Sequence, residues 1–249
     1  MIFASNSDSC PNIVQTIARP ERPSGLFAQD CLLCGSGCRA GVLCVSCRDA
    51  LPVAGGEACP RCASPGSSAG VCGACLNDPP AFSATHAAFT YAFPVDRLLQ
   101  RFKFHGDLAL AGLFAEALCE RVADRPLPDL LVAAPLAPRR LRKRGFNQAV
   151  EIGRKVGSRL SLRFDALACV KRVDTVQQTE LEGAERRRNL RGAFAVRGDV
   201  RGLRVAVIDD VMTTGTTMNE LARTLIAAGA SQVDAWVVAR TPAPRESGT

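Results

Sequence analysis

The features that mark a membrane or exported protein are missing from this sequence. No apolar run reaches the roughly 18 residues that a membrane-spanning helix needs. Residues 1–30 lack a basic start followed by an apolar segment, so we expect no signal peptide and a cytoplasmic location. Because the cytosol keeps thiols reduced, a disulfide framework is disfavoured from the outset.

Aromatic residues are also scarce, at 5% of the chain. Proteins that hold single-stranded nucleic acid without sequence preference stack bases on aromatic side chains, so this scarcity argues against a broad stacking surface. The 249 residues are instead 47% hydrophobic and 22% charged, with a net charge of +7. These values predict a globular protein of one or two domains.

The positive charge is concentrated in one part of the chain. Residues 135–204 contain 18 Lys or Arg against 7 Asp or Glu. A surplus of this size favours an anionic partner such as diphosphate, a nucleotide or nucleic acid. A solvated basic face is the alternative interpretation.

Eight of the twelve cysteines form four Cys-x-x-Cys pairs. Each pair can place two thiolates on one tetrahedral Zn²⁺, and two pairs close a site. The duplicated spacing favours two structural zinc sites built from sequential pairs, although a cross-braced pairing stays open. The predicted ligands are Cys31, Cys34, Cys44 and Cys47 for one ion and Cys59, Cys62, Cys72 and Cys75 for the other.

The most informative stretch predicts a strand, a tight loop and a helix in that order. Residues 205–208 are a short β-branched run typical of a buried strand, and Asp209 and Asp210 follow it directly. A helical pattern of apolar residues comes after the loop, with Thr217 and Glu220 spaced as a capping box. Parallel sheets bind ligands at the carboxyl ends of their strands, where this loop would lie.

The loop itself consists of small hydroxyl residues and one glycine. Free amides at a helix start, threonine hydroxyls and the helix dipole together favour a bound phosphate. Two carboxylates nearby would repel that phosphate unless they serve Mg²⁺ or sugar hydroxyls attached to it, as in a phosphorylated ribose. An ordinary turn with solvated acids is the alternative. The predicted phosphate-binding residues are Thr213, Thr214, Gly215, Thr216 and Thr217.

A second strand, loop and helix unit comes earlier in the chain, and its loop is basic. Residues 137–148 carry five basic side chains around a predicted turn. Positive charge there suits a diphosphate leaving group, with a nucleic-acid or solvated patch as the alternative. Lys103 stands between two phenylalanines at a predicted helix end. It is either a phosphate contact or an exposed lysine whose stem covers apolar surface.

Together these motifs resemble the ComF/GntX group of phosphoribosyltransferase-like proteins. The resemblance rests on the four cysteine pairs, Arg-Phe-Lys-Phe at 101–104, Arg-Gly-Phe-Asn-Gln at 144–148 and the loop at 209–217, in this order. It spans about residues 31–240. It implies 5-phosphoribosyl-1-diphosphate (PRPP) as the ligand, bound with Mg²⁺, and structural zinc in the cysteine-rich segment.

The resemblance also implies a role for each candidate residue. Asp209 and Asp210 would be the catalytic pair that holds the ribose hydroxyls, and residues 213–217 would hold the 5′-phosphate. A polar connection at 175–191 would form a mobile loop that closes over the sugar diphosphate. The implied diphosphate contacts are Arg139, Arg140, Arg144 and Lys103, with Arg186 and Arg187 as candidates on the mobile loop.

We therefore expect an α/β fold with a mainly parallel sheet flanked by helices, of the type I phosphoribosyltransferase kind, preceded by a small double zinc ribbon. The expected divisions are a tail at 1–30, the double ribbon at 31–76, the transferase-like domain at 84–240 and a tail at 241–249.

Three functions stay open at this point. The first is an enzyme that transfers phosphoribosyl to an unidentified acceptor and releases diphosphate; the sequence offers no clear general base. The second, implied by competence proteins in the resembled group, is a DNA-uptake accessory protein that binds single-stranded DNA and the uptake machinery. The third is a regulator that senses PRPP without turnover.

Overall fold

The computed structural model describes residues 29–38, 41–66, 70–172 and 192–242. The chain divides into two compact units, Met1–Ala50 and Leu51–Thr249. The first unit contains the first set of four cysteines, and the second contains the other set and the predicted α/β domain. Arg186, Arg187 and most of both predicted tails lie outside the described residues, and the four predicted divisions stay a prediction.

The first unit contains a tight metal-binding turn followed by a short helix. The amide of Cys31 donates to the carbonyl of Ser36 at 2.7 Å, and the amide of Gly35 donates back to the carbonyl of Cys31 at 2.9 Å. Gly35 adopts the left-handed φ of 73° that this turn requires. The elements are β1 (Gln29–Asp30), β2 (Gly37–Cys38), which is antiparallel to β1, and α1 (Val45–Asp49).

A parallel sheet forms the centre of the second unit. The described strands of this unit are, in chain order, β3 (Thr85–Thr90), β4 (Leu130–Ala133), β5 (Phe164–Asp165), β6 (Cys169–Lys171), β7 (Phe194–Val196), β8 (Arg204–Met212) and β9 (Gln232–Arg240). Five of them form a wholly parallel sheet in the order β3-β9-β8-β4-β5, and β6 pairs with β7 antiparallel. All four residues of β4 are buried, so both faces of this strand are covered. The predicted parallel α/β fold is confirmed.

The described part of the second unit also contains helices, several of which pack against the sheet. They are α2 (Gly73–Asn77), α3 (Val95–His105), α4 (Leu110–Val122), α5 (Pro138–Arg144), α6 (Gln148–Leu160) and α7 (Thr216–Ala227). Helix α6 is capped by Asn147, whose side-chain oxygen accepts from the Ala149 amide at 3.0 Å. Gly153 allows α6 to lie close to β5, because a Cβ there would be 2.4 Å from the ring of Phe164.

The basic segment after β4 is a helix, where the sequence predicted a turn. Pro138 occupies the first turn of α5, where its missing amide leaves no helical hydrogen bond unmade. Strong helix formers follow, and Gly145 ends the helix with a left-handed φ of 79°. The prediction was wrong because it gave the charge pattern more weight than these two helix boundary signals.

The carboxyl edge of the sheet brings the predicted loops together. Strands β4 and β8 are adjacent and parallel, with Leu130 opposite Val205 and Ala133 opposite Ile208. Helix α5 follows β4, and the residue 213–217 loop follows β8, so both leave the sheet at the same edge. The position of any ligand site is thereby set by the strand order.

Candidate functional site

The acidic pair lies within a strand of the sheet. Strand β8 continues through Asp209 and Asp210 to Met212, because β9 pairs with it over its whole length. Asp210 is 9% exposed, and Asp209 is partly buried. The amide of Asp210 donates to the Asp209 carboxylate at 2.8 Å. Both acids are therefore held on a rigid element.

Lys103 pairs with this acidic site. Its ammonium group lies 2.9 Å from the carboxylate of Asp210, and the two side chains are 20% and 12% exposed. Lys103 is in the last turn of α3, and the buried residue Phe102 anchors that turn in the core. The interpretation as an exposed lysine is wrong. An ammonium has three donors, so this ion pair is compatible with a further anionic contact.

Arg144 comes to the same place from the end of α5. Its guanidinium lies 5.4 Å from the ring centroid of Phe104, and it donates to the side-chain oxygen of Gln148 at 3.1 Å. Burial lowers the pKa of Arg144, while the nearby charge of Asp210 opposes that effect. The rings of Phe102 and Phe146 lie 5.6 Å apart between centroids and join the two segments. Three separate sequence motifs therefore meet at one point.

The electrostatics of the acid pair are unusual. Burial, together with the charge of Asp210, raises the pKa of Asp209 from its ordinary 3.8 to about 7. Lys103 and Arg144 act in the opposite direction, since a nearby cation favours the carboxylate. A cation that binds at this edge would ionise Asp209 fully at neutral pH. Carboxylate oxygens are ligands that Mg²⁺ prefers, so the pair fits the predicted ion.

The loop after β8 forms a small cradle. Gly215 is the N-cap of α7 with a left-handed φ of 77°, and the Asn219 amide donates to its carbonyl at 2.8 Å. The hydroxyls of Thr214 and Thr216 lie 2.8 Å apart. A cavity of about 50 Å³ lies against the loop and reaches Asp209. The first amides of a helix have no helical acceptor, so they suit an anion in this cradle.

The predicted capping box is absent. Helix α7 begins at Thr216, which places Thr217 inside the helix, and Gly215 takes the cap position. The carboxylate of Glu220 accepts instead from the Gly192 amide at 2.8 Å. Thr213, Thr214 and Thr217 are exposed at the cradle, and Thr216 is partly buried.

The remaining predicted diphosphate contacts are on α5. Arg139 is exposed on its first turn, and Arg140 is partly buried beside it. The structure thus brings Lys103 and Arg144 to the acidic pair and places Arg139 and Arg140 on the helix that leaves the same sheet edge. Their roles toward a ligand stay predictions.

The eight paired cysteines form two separate sets. Cys31, Cys34, Cys44 and Cys47 form one, and Cys59, Cys62, Cys72 and Cys75 form the other; within each set the four sulfur atoms lie within 4.8 Å of one another. This sequential grouping agrees with the favoured pairing. Sulfur atoms of Cys34 and Cys44 are 3.7 Å apart, and those of Cys62 and Cys72 are 3.6 Å apart. A tetrahedron with Zn–S bonds of about 2.3 Å has edges of about 3.8 Å, so the geometry fits Zn²⁺.

The two metal-binding turns are structural copies. The Cys59 amide donates to the Ser64 carbonyl at 2.9 Å, and the Ala63 amide donates to the Cys59 carbonyl at 2.8 Å, as around Cys31. Burial raises the pKa of the Cys59 thiol, but backbone donors at Cys62, Cys72 and Arg61 outweigh it and leave the value at about 6. Such donors stabilise the thiolate that a zinc ligand must be.

The second set is part of the hydrophobic core. Cys59, Cys62 and Cys75 belong to the same buried cluster as Phe82 and Met212. Sequence reasoning missed two buried polar residues here. Arg240 ends strand β9 at 8% exposure, and Gln148 is 2% exposed beside Arg144. An arginine directly after the apolar run at 235–239 was the available signal for Arg240.

Known protein families match both parts of the chain. The double zinc ribbon domain matches residues 24–76, and the phosphoribosyl transferase domain matches residues 146–247. Among solved structures, glutamine PRPP amidotransferase from B. subtilis is similar over 51% of this chain and 25% of that chain, with 20% identity and a TM-score of 0.36.

Curated relatives match most of the chain. It is 33% identical over 190 residues to the DNA utilization protein YhgH of Salmonella typhi, covering 74% of this chain and 84% of the relative. It is 32% identical over 221 residues to Competence protein F of Haemophilus influenzae, covering 79% and 96%. It is 27% identical over 244 residues to Competence protein ComFC of Bacillus subtilis, covering 89% and 99%.

Fold and motifs together define a phosphoribosyltransferase-type domain combined with a double zinc ribbon. The chain belongs to the ComF family, as its relatives show. Within the described residues no helix combines the length and the apolar character that crossing a membrane takes.

Proposed function

We propose that this protein binds PRPP with Mg²⁺ at the carboxyl edge of its sheet and transfers the phosphoribosyl group to a nitrogen acceptor. The observation that supports this most directly is the convergence of Lys103, Arg144 and the Asp209–Asp210 pair beside the Gly215 cradle. Anion-binding groups and ribose-binding acids are thus on one edge, in an arrangement that suits a phosphorylated sugar diphosphate.

The proposed roles follow from this geometry. The cradle at residues 213–217 holds the 5′-phosphate, and Asp209 and Asp210 accept hydrogen bonds from the ribose hydroxyls. Arg144 and Lys103 face the diphosphate, with Arg139 and Arg140 on the same helix edge as further contacts. Mg²⁺, when bound, would neutralise part of the diphosphate charge next to the two acids.

The proposed reaction is a displacement at ribose C1. A bond forms between the acceptor nitrogen and C1, and the C1–oxygen bond breaks with its electron pair leaving on diphosphate. The side chains contribute positioning and electrostatic stabilisation, because the cations lie where the negative charge of the leaving group increases. The rigid strand β8 holds the acids in place during this change.

A calorimetric titration of PRPP with Mg²⁺ tests the proposal. Asp209→Asn combined with Asp210→Asn should weaken binding by about 100-fold or more, since hydrogen bonds to charged groups contribute about 1.5–3 kcal/mol each. Asp199→Asn, an exposed acid paired with Arg201, is the matched control and should leave the affinity unchanged. Unaltered PRPP binding in the double variant would reject this site. Release of diphosphate from PRPP in the presence of candidate bases would distinguish an enzyme that transfers phosphoribosyl from a regulator that only binds PRPP.

A second function is supported by the names of two relatives, a competence protein and a DNA utilization protein. We propose that the exposed basic residues of α5, Arg139, Arg142 and Lys143, contact the phosphates of single-stranded DNA. The affinity should then fall steeply as salt rises, because binding releases counterions. Charge removal at Arg142 and Lys143 should weaken DNA binding and spare PRPP binding; equal DNA affinity in that variant would exclude this surface.

A further inference from the structure

Arg240 makes an unusual set of contacts at the end of β9. Its Nε donates to the carbonyl of Cys62 at 2.7 Å. Its Nη1 donates to the carbonyl of Met212 at 3.2 Å, and to those of Thr213 and Thr241. The side chain is buried, at 8% exposure. One guanidinium therefore holds backbone carbonyls from three separate parts of the second unit.

Two of those parts have functional assignments. Cys62 is a predicted ligand of the second zinc ion, and Met212 and Thr213 lead directly into the phosphate cradle. A guanidinium is planar and presents its donors in a fixed fork, so the carbonyls it holds keep fixed relative positions. Burial makes each contact costly to lose, because a desolvated charge needs its partners.

A second contact runs in parallel with the first. The amide of Ala81, in the segment that leaves the zinc-binding turn, donates to the side chain of Asn219 on α7 at 2.7 Å. A Cβ at Gly215 would lie 2.7 Å from the terminal methyl of Met212. The Met212 side chain therefore occupies the space beside the cradle glycine.

Packing between the turn around Cys62 and the cradle is incomplete. A cavity of about 420 Å³ separates them, and its lining includes Cys62, Phe82, Thr214 and Arg240. Beside this space, the turn around Cys62 and the cradle are joined by specific hydrogen bonds as well as by the core contacts of Cys62 and Met212. The Arg240 guanidinium lines the cavity and donates to both regions.

We propose that Arg240 is a positioning residue that couples zinc occupancy of the second cysteine set to the geometry of the phosphate cradle. With zinc bound, the turn at Cys62 is fixed, and Arg240 transmits that order to Thr213 and the residues after it. Without zinc, the Cys62 carbonyl moves and the cradle loses one of its supports. The part that concerns ligand affinity rests on the proposed PRPP function.

Coupling between two sites is reciprocal, and this provides a direct test. If zinc orders the cradle, a ligand in the cradle must strengthen zinc binding at the second set by the same factor. The background for the measurement is Cys31→Ser with Cys34→Ser, which removes the first site and leaves one zinc ion to follow. Equilibrium competition with a colorimetric chelator then reports the zinc affinity of the second set, with and without PRPP and Mg²⁺.

In that background, PRPP should raise the zinc affinity of the second set by at least about fivefold, the lower end of typical coupling between sites. Arg240→Met keeps the apolar stem and removes the donors, so the ratio should fall to about one. Arg240→Lys keeps the positive charge but lacks the planar guanidinium, so its ratio should lie between those of the wild type and Arg240→Met. Arg223→Met, an exposed arginine on α7, should retain the full ratio. A ratio that persists in folded Arg240→Met would overturn the proposal.

Hydrogen exchange keeps this inference separable from the proposed function. Amides of residues 213–217 should exchange at least about fivefold faster once zinc is removed from the second set, while those of β4 stay protected. In Arg240→Met the amides of residues 213–217 should exchange fast with or without zinc. If PRPP fails to bind the wild type but this exchange pattern holds, the PRPP assignment fails and the coupling stands. Uniform acceleration through β4, or no acceleration, rejects the coupling.

Discussion

The Lys103 ammonium lies 2.9 Å from the Asp210 carboxylate and thereby joins the end of α3 to the central strand β8. Both groups are largely removed from water. Removal of one partner leaves the other as a buried, uncompensated charge, which costs more than the pair itself contributes. Burial and the charge of Asp210 raise the pKa of the neighbouring Asp209, and the charge of Lys103 partly opposes that rise.

Lys103→Met should lower the free energy of unfolding by about 1–3 kcal/mol, since the largely buried Asp210 carboxylate loses its cation. Denaturant unfolding measures the change. Arg101→Met is the matched control, because Arg101 pairs with Asp107 nearer the surface, at 45% and 22% exposure. That exposed pair should contribute less than about 1 kcal/mol. Equal losses in the two variants would show that the Lys103 pair is no stronger than a surface contact.

Asp209→Asn should stabilise the protein in a pH-dependent way. The pKa of Asp209 is about 7 in the folded protein, against an ordinary value of 3.8 that applies when the chain is unfolded. The wild type therefore loses stability as the pH rises between these two values, because the unfolded chain releases the proton first. The advantage of the asparagine variant over wild type should therefore be about 2 kcal/mol larger at pH 8 than at pH 5.5. Zinc ligation is common to both proteins and cancels in the difference. A pH-independent advantage would mean that Asp209 ionises normally.

Gly215→Ala should damage the cradle more than the fold. The backbone there has a φ of 77°, and the added Cβ would lie 2.7 Å from Met212. The left-handed conformation costs about 1 kcal/mol for alanine, and crowding at Met212 adds a shift of the loop. PRPP affinity should fall at least about tenfold by calorimetry.

Gly202→Ala is the control for that experiment. Its φ is 72°, and nothing lies within 4 Å of the added Cβ. It should cost about 1 kcal/mol of stability for the same backbone reason and leave PRPP affinity unchanged. Equal loss of affinity in both variants would contradict a specific role for the Met212 contact.

Gly153→Ala and Gly112→Ala should change stability in opposite directions. Both glycines are inside helices, where alanine is intrinsically better by up to about 1 kcal/mol. A Cβ at Gly153 would meet the Phe164 ring at 2.4 Å, whereas nothing lies within 4 Å at Gly112. Overpacking should cost Gly153→Ala about 1–3 kcal/mol in thermal or denaturant unfolding. If both substitutions stabilise the protein, β5 and its Phe164 ring move easily to make room for the added methyl group.

Local signals in the sequence predicted the elements well. The apolar run at 205–208, the glycine-containing loop and the following helical pattern correspond to β8, the cradle and α7. The duplicated cysteine spacing predicted two sequential sets, and the structure has them. These features depend on neighbours in the chain, so the sequence alone contains enough information to predict them.

Features that depend on distant partners could not be predicted in the same way. Strand β8 extends past Asp209 because β9 pairs with it as far as Arg240, and no local pattern shows that partner. The pairing of Lys103 with Asp210 and the contact of Glu220 with Gly192 are likewise products of the fold. The catalytic and diphosphate roles stay predictions that the experiments above address.

The repeated metal-binding turn has an evolutionary consequence. Around Cys31 and around Cys59 the chain forms the same pair of backbone hydrogen bonds, so the two turns have the same local geometry. The copy at Cys59 is embedded among core side chains and supplies a carbonyl to Arg240. Selection should therefore act on that copy for its surroundings as well as its metal, and sequence drift should accumulate mainly in the earlier one.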